Sequence, residues 1–189
     1  RLTTLDSNGV PFDYPEKDSA RTIRAVWARM GEGSSVSTFD KDYPNSNRVP
    51  PAATTVPFLG ALDDSDRFDF VHLSGHGAPD RCAFELPFGY VGPEEFPSSC
   101  FEGKRVALSA CGMSRRDFVE PFMDATGAKA VIAPRKDIRF DDATIWYLNY
   151  YYLMLHHRFT SVGAFDRVND MLCFGPRRGR VKGGFEHWS

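Results

Sequence analysis

Two reactive side chains each follow an apolar run, and each stands directly before a glycine. Residues 70–77 read Phe-Val-His-Leu-Ser-Gly-His-Gly, and residues 106–112 read Val-Ala-Leu-Ser-Ala-Cys-Gly. Each pattern predicts a buried strand that stops at a turn. If the strands are parallel neighbours, their carboxyl ends bring His76 and Cys111 together at the edge of an open α/β sheet, where such sheets build sites. A thiol beside an imidazole is the smallest set of groups that can act as an activated cysteine nucleophile.

The elements around this pair are predicted to alternate between strand and helix. The predicted strands are 2–5, 35–39, 68–73, 106–110 and 130–133, with a hairpin over 83–91. The predicted helices are 20–30 (capped by Ser19), a helix from Thr54 or Thr55 through Leu62, 116–126 (ended by Gly127), 142–156 and 161–173. This order is typical of a mainly parallel sheet that is covered by helices on both faces.

Composition narrows the class of protein. The 189 residues are 42% hydrophobic and 14% aromatic, as in a globular chain with a buried core, and they fit a single domain. The formal net charge of −2 gives no indication of nucleic-acid or membrane binding. The short basic run over 177–182 is interpreted as a solvated loop. No apolar run approaches the length of a membrane span, so we expect a cytoplasmic protein.

No cofactor or metal is expected from the sequence. The four cysteines (Cys82, Cys100, Cys111 and Cys173) have neither CxxC spacing nor the density of a disulfide framework. Their spacing matches no zinc signature, and the glycines around His76 lack the rest of a phosphate-binding loop. A reducing compartment therefore suits the chain.

The order of these motifs resembles the caspase-like cysteine peptidases of clan CD, and within them the CHAT branch that is related to separase. The resemblance rests on the strand ending in His76-Gly77, on Leu108-Ser109-Ala110-Cys111, and on the motifs over 127–133, 140–144 and 161–165. It covers roughly residues 68–173. The chain departs from the family at 135–139, where Arg-Lys-Asp-Ile-Arg replaces an apolar turn, and a closing strand after the last helix is not evident.

The resemblance implies a caspase-like fold and a His-Cys dyad. His76 would protonate the leaving amine, and Cys111 would form the thioester that water resolves. The backbone N–H groups of Gly77 and Cys111 would form the oxyanion hole. The plainer interpretations are a buried inert cysteine and a structural histidine. His72, inside its strand, is expected in the core or behind the site, and His156 and His157 are expected at a helix end.

The resemblance also points to a substrate pocket. In separases an acidic residue after the fifth strand receives a basic P1 side chain, and Asp137, Asp141 and Asp142 stand in the comparable turn, with Ser109 near the site. Asp141 or Asp142 could instead cap the following helix. Arg135 and Arg139 in the same segment would instead favour an acidic P1 residue. Of these two alternatives, we prefer the basic P1 residue.

The resulting hypothesis is a cysteine endopeptidase that cleaves a protein partner in a regulated bacterial immune or cell-death system. By the same resemblance, a sensor or companion protein would rearrange its loops. The first alternative is a catalytically silent CHAT-like domain that binds protein partners. The second alternative, a nucleotide-binding module, is disfavoured because the phosphate loop is missing.

Overall fold

The computed structural model describes residues 4–5, 11–12, 22–23, 25–26, 69–86, 89–172 and 184–189. The strands are β1 (Thr4–Leu5), β2 (Pro11–Phe12), β3 (Phe70–Ser74), β4 (His76–Ala78), β5 (Ala83–Leu86), β6 (Gly89–Val91), β7 (Arg105–Ser109), β8 (Ala130–Pro134) and β9 (Phe185–Trp188). The α-helices are α1 (Arg116–Thr126), α2 (Phe140–Tyr151) and α3 (Ser161–Met171). A π-helical turn, Tyr152–His156, continues α2, and 3₁₀ turns form at Pro79–Arg81 and Pro93–Glu95.

The central sheet is four-stranded in the order β3-β7-β8-β9. The first three strands are parallel, and β9 joins β8 antiparallel. A second sheet, β4-β5-β6, is antiparallel and begins two residues after β3 ends. The protein is therefore a mixed α/β structure with a mostly parallel central sheet.

Alternation along the strands divides the core into two clusters, one on each face of the central sheet. Val106 and Leu108 of β7 pack in a cluster with α1, whereas Ala107 packs in a cluster with α2 and α3. Successive side chains of a strand point to opposite faces, so the apolar run of β7 serves both layers. The prediction of a mainly parallel sheet with helices on both faces is confirmed at this level.

Several predicted elements agree closely with the structure. The helix over Arg116–Thr126 has the predicted bounds, and Gly127 ends it in the left-handed conformation at φ +71. The hairpin over 83–91 is present as β5 and β6. In the predicted first helix, residues 22–23 and 25–26 are helical and Ile23 is buried.

Two strands differ from the predictions. A strand follows the last helix although none was evident in the sequence: β9 pairs Phe185–Trp188 with β8. The segment His76–Ala78, expected as a turn, is strand β4 and pairs with β5. Both strands are short, and each is stabilised by its partner strand more than by its own pattern.

Four of the features named from the sequence lie outside the described residues. These are the strand over 35–39, the helix from Thr54 or Thr55, Cys173 and the basic run over 177–182. Among the residues that are described, no helix combines the length and the apolar character needed to cross a bilayer.

Candidate active site

Strands β3 and β7 deliver the two candidate catalytic residues to the same edge of the sheet. Their parallel register pairs Ser74 with Ser109, and the Gly75 N–H donates to the Ser109 carbonyl at 3.2 Å. Two residues further along each strand from this pair stand His76 and Cys111. Both residues therefore follow directly on the carboxyl ends of adjacent parallel strands, where ligand sites form in open α/β sheets.

Gly77 brings the backbones of the two turns into contact. A Cβ at Gly77 would collide with the carbonyl oxygen of Cys111 and would lie 2.9 Å from the Met113 side chain. Gly112 is also required, because its φ of +63 is left-handed and a Cβ there would lie 2.6 Å from Pro79. The glycines that follow His76 and Cys111 are thus what permits the close approach of the two turns.

The segment between β8 and α2 lies over the pair. The Ile138 N–H donates a hydrogen bond to Cys111 Sγ at 3.4 Å, and the Cys111 thiol donates to the Ile138 carbonyl oxygen at 3.5 Å. The Gly112 N–H donates to the Lys136 carbonyl at 3.2 Å. The Cys111 side chain is half-buried beneath this segment. Among the described residues, Ile138 supplies the hydrogen bonds of this sulfur.

His76 is exposed and contacts the first residue of α2. Its imidazole packs edge-on against Phe140, with ring centroids 5.4 Å apart and an interplanar angle of 86°. This aromatic contact orients the ring on the same side of the sheet as Ile138. The imidazole and the thiol are therefore both bounded by residues 138–140.

Beneath the pair, the α2-facing side of the sheet is polar. His72 Nδ1 lies 2.8 Å from the Tyr151 hydroxyl, and the His72 ring packs edge-on against Tyr147 at 4.7 Å. Burial lowers the pKa of His72 to about 3, so its imidazole is neutral. His72 thus occupies the position behind the site that its place in the strand indicated.

The predicted pocket residues are not brought together around one cavity. Asp137 and Asp141 are exposed, and Asp141 forms a 3.3 Å ion pair with Arg139. Asp141 and Asp142 lie in the first turn of α2, whose N-cap is Arg139, and no side chain caps the helix. Helix capping by either aspartate is therefore wrong, although their charge suits the helix dipole. Ser109 is only 2% exposed and lies in the layer below Cys111.

A polar cluster beside the site, contributed mainly by β9, was not predicted from the sequence. Glu186 accepts from Arg135 at 2.6 Å and from the Ser114 hydroxyl at 2.7 Å. The Trp188 indole N–H donates to Ser114 at 2.9 Å. Arg135 and the Ser114 hydroxyl lower the pKa of Glu186, which stays ionised. This cluster links Ser114, three residues after Cys111, and Arg135, directly after β8, to strand β9.

The remaining thiols differ from Cys111 in their surroundings. Cys82 has a pKa raised by burial and by the nearby Asp117 carboxylate, and Cys100 is buried in the α1-side core. Both are free thiols, as is Cys111. Among the described residues, no three histidine, cysteine or acidic side chains are grouped as metal ligands would be.

No family model matches this sequence, and no curated protein is similar to it at a significant level.

Proposed function

We propose that this chain is a cysteine endopeptidase of the caspase-like, CHAT type, with His76 and Cys111 as its dyad. One observation supports this most. The parallel β3–β7 register ends at the Ser74–Ser109 pair, two residues before His76 and Cys111 respectively, and Gly77 packs its backbone directly on the Cys111 carbonyl. A structural role alone does not require this close approach of two glycine-containing turns around a histidine and a cysteine.

In the proposed reaction, the His76 imidazole accepts the Cys111 thiol proton while the sulfur attacks the scissile carbonyl carbon. The carbonyl π electrons move to oxygen, and the N–H groups of Gly77 and Cys111 are proposed to bind that oxyanion. Collapse of the tetrahedral intermediate breaks the C–N bond, and the imidazolium protonates the leaving amine. Water then hydrolyses the thioester, which releases the carboxylic acid and restores the thiol.

Substrate must compete with Ile138 for the same sulfur. The thiol is hydrogen-bonded to both backbone groups of Ile138, so a scissile carbonyl reaches Cys111 only when this contact opens. We therefore propose that the substrate is a protein. We also propose that a companion protein alters the 135–140 segment and so opens access to Cys111. The bacterial defence setting and the cytoplasmic location rest on the family resemblance and on the free thiols.

Preference for a basic P1 residue is part of the same proposal. Asp137 and Asp142 border the segment over Cys111, whereas both arginines of that segment, and Asp141 with them, are already in ion pairs. Arg135 is bound to Glu186 and Arg139 to Asp141. An arginine already neutralised by a carboxylate attracts an acidic substrate less strongly. This pairing favours a basic side chain over an acidic one.

The test is covalent labelling with peptidyl electrophiles that carry Arg, Lys, Asp or Leu at P1, followed by mapping of adducts by mass spectrometry. We expect an adduct on Cys111 that is lost in His76→Ala and in Cys111→Ala but is retained in Cys82→Ala. Arg or Lys at P1 is expected to label fastest. Labelling of Cys111 that is unaffected by His76→Ala, or no adduct on the folded protein, would favour a non-catalytic interaction domain.

A further inference from the structure

The α2-facing side of β3 and β7 carries a ladder of polar residues that ends at the candidate dyad. On β3 this face carries Phe70 and then His72 and Ser74, with His76 next in the alternation. On β7 it carries Arg105, Ala107 and Ser109, with Cys111 next. The register pairs His72 with Ala107 and Ser74 with Ser109. Side chains two residues apart share a face, so the layer beneath the dyad contains imidazole and hydroxyl groups.

Two atoms in this layer are buried without a hydrogen-bond partner among the described residues. They are Nε2 of His72 and Oγ of Ser109. Most buried polar atoms in folded proteins are paired, and each unpaired atom carries a desolvation penalty. Where protein groups do not pair with each other, an ordered internal water usually does, typically making about three hydrogen bonds. Both atoms therefore call for a polar ligand of small size.

The two residues lie on the same face of adjacent strands. His72 and Ser109 are diagonal neighbours across the β3–β7 pair, about 8 Å apart at the backbone. The residue directly opposite His72 is Ala107, whose side chain is a single methyl group. Two hydrogen bonds to one bridging water span about 5.6 Å between two polar atoms. The His72 and Ser109 side chains extend over part of the rest of the backbone separation.

We infer that a buried water molecule bridges His72 Nε2 and Ser109 Oγ beneath the candidate dyad. His72 Nδ1 already pairs with the Tyr151 hydroxyl, so the bridge completes a chain from α2 through β3 to β7. The neutral imidazole suits this role, because one ring nitrogen donates and the other accepts. The water site stands whether or not the dyad is catalytic, since it depends only on the buried layer.

A double-mutant cycle measured by urea unfolding tests the bridge. In the wild-type background, Ser109→Ala is expected to raise the unfolding equilibrium constant about fivefold, because the water loses a partner. In the His72→Phe background, the same substitution is expected to change that constant by less than about twofold, since the bridge is already broken. The coupling between the two sites is the signature of a shared ligand.

A matched control uses a hydroxyl in a different setting. The Thr126 hydroxyl donates to the Phe122 carbonyl within α1 and does not face His72. Thr126→Val should therefore have the same effect on unfolding in the wild-type and His72→Phe backgrounds. If Ser109→Ala is neutral or stabilising in the wild type, or equally costly in both backgrounds, the bridge is refuted.

A second measurement applies even if His72→Phe fails to fold. A high-resolution crystal structure of the wild-type protein should show a water within hydrogen-bond distance of both His72 Nε2 and Ser109 Oγ. A direct hydrogen bond between these two atoms, or apolar atoms filling the space between them, would overturn the inference.

Discussion

The two faces of the central sheet are packed in different ways, although the same strands supply both. On the α1 side the cluster is apolar and rich in phenylalanine: Phe122 packs against Phe96 at 4.9 Å and against Phe118 at 5.6 Å. On the α2 side two of the large residues, Tyr147 and Tyr151, carry hydroxyls that hydrogen-bond to the sheet. The Tyr147 hydroxyl donates to the Leu108 and Ile132 carbonyls at 3.1 and 3.3 Å.

The two faces therefore contribute to the fold in different ways. Phenylalanine packing supplies hydrophobic stabilisation but places few directional constraints on the strands. Hydrogen bonds from Tyr147, and from Tyr151 to His72, instead fix the positions of the strands that end at His76 and Cys111. The face beneath the candidate dyad is therefore the one whose hydrogen bonds constrain the strands. Substitutions on the two faces should accordingly differ in kind as well as in size.

The largest effect is expected from truncation on the apolar face. Phe122 is fully buried, so Phe122→Ala should lower the free energy of unfolding by about 3–5 kcal/mol through lost burial and a residual cavity. Phe159 is 44% exposed, and Phe159→Ala is the matched control with an expected loss below about 1 kcal/mol. Urea denaturation measures both. Equal losses would contradict the placement of Phe122 in the core.

A smaller effect, dependent on pH, is expected on the polar face. Burial lowers the pKa of His72 from 6.5 to about 3, so the unfolded chain binds a proton there that the folded chain does not. The resulting stability is present above pH 6.5 and is lost as the pH falls toward 3, by about 1.4 kcal/mol per unit. His72→Phe should remove this loss between pH 6.5 and 5. Tyr147 and Tyr151, which face His72, stay neutral throughout because burial raises their pKa.

The readout for His72 is the slope of unfolding free energy against pH, not its value at one pH. The substitution also removes the hydrogen bond to Tyr151, which shifts the whole curve. Slopes that coincide for the wild type and His72→Phe across this window would show that His72 is protonated in the folded protein.

Exchanging one hydroxyl on each face should have effects of a size similar to that of the His72 substitution. Tyr147→Phe removes a donor to two strand carbonyls and should cost about 1 kcal/mol. Phe118→Tyr adds a hydroxyl to a cluster of apolar side chains and should cost about 1–3 kcal/mol. Chemical denaturation of both variants checks the comparison. A neutral Tyr147→Phe would mean that its hydroxyl does not hold the strands.

Local patterns predicted the elements that carry strong periodicity and clear ends. Helix α1 has its apolar residues on one face and a left-handed glycine at its end, and its bounds agree with the prediction. The apolar runs of β3, β7 and β8 were located within a residue or two at each end. Their carboxyl ends place His76 and Cys111 at one edge of the sheet, as the sequence indicated.

Long-range pairing explains what the sequence did not indicate. Strand β9 mixes apolar and charged residues over only four positions, and its existence depends on pairing with β8. The Glu186 cluster follows from that pairing, so no local signal could have located it. The contact between Ile138 and Cys111 likewise joins residues 27 apart through the conformation of a loop. The polar layer of His72 and Ser109 emerged only once the register was known.

The most direct measurement is the rate at which iodoacetamide alkylates each thiol of the folded protein at pH 7, in the wild type and in His76→Ala. A functional pair predicts that Cys111 reacts at least about tenfold faster than Cys82 and Cys100, because an adjacent imidazole accepts the thiol proton. His76→Ala should reduce the Cys111 rate to that of an ordinary accessible thiol and leave the Cys82 rate unchanged. A Cys111 rate that equals that of Cys82, or that does not respond to His76→Ala, would contradict the assignment of His76 and Cys111 as a catalytic dyad.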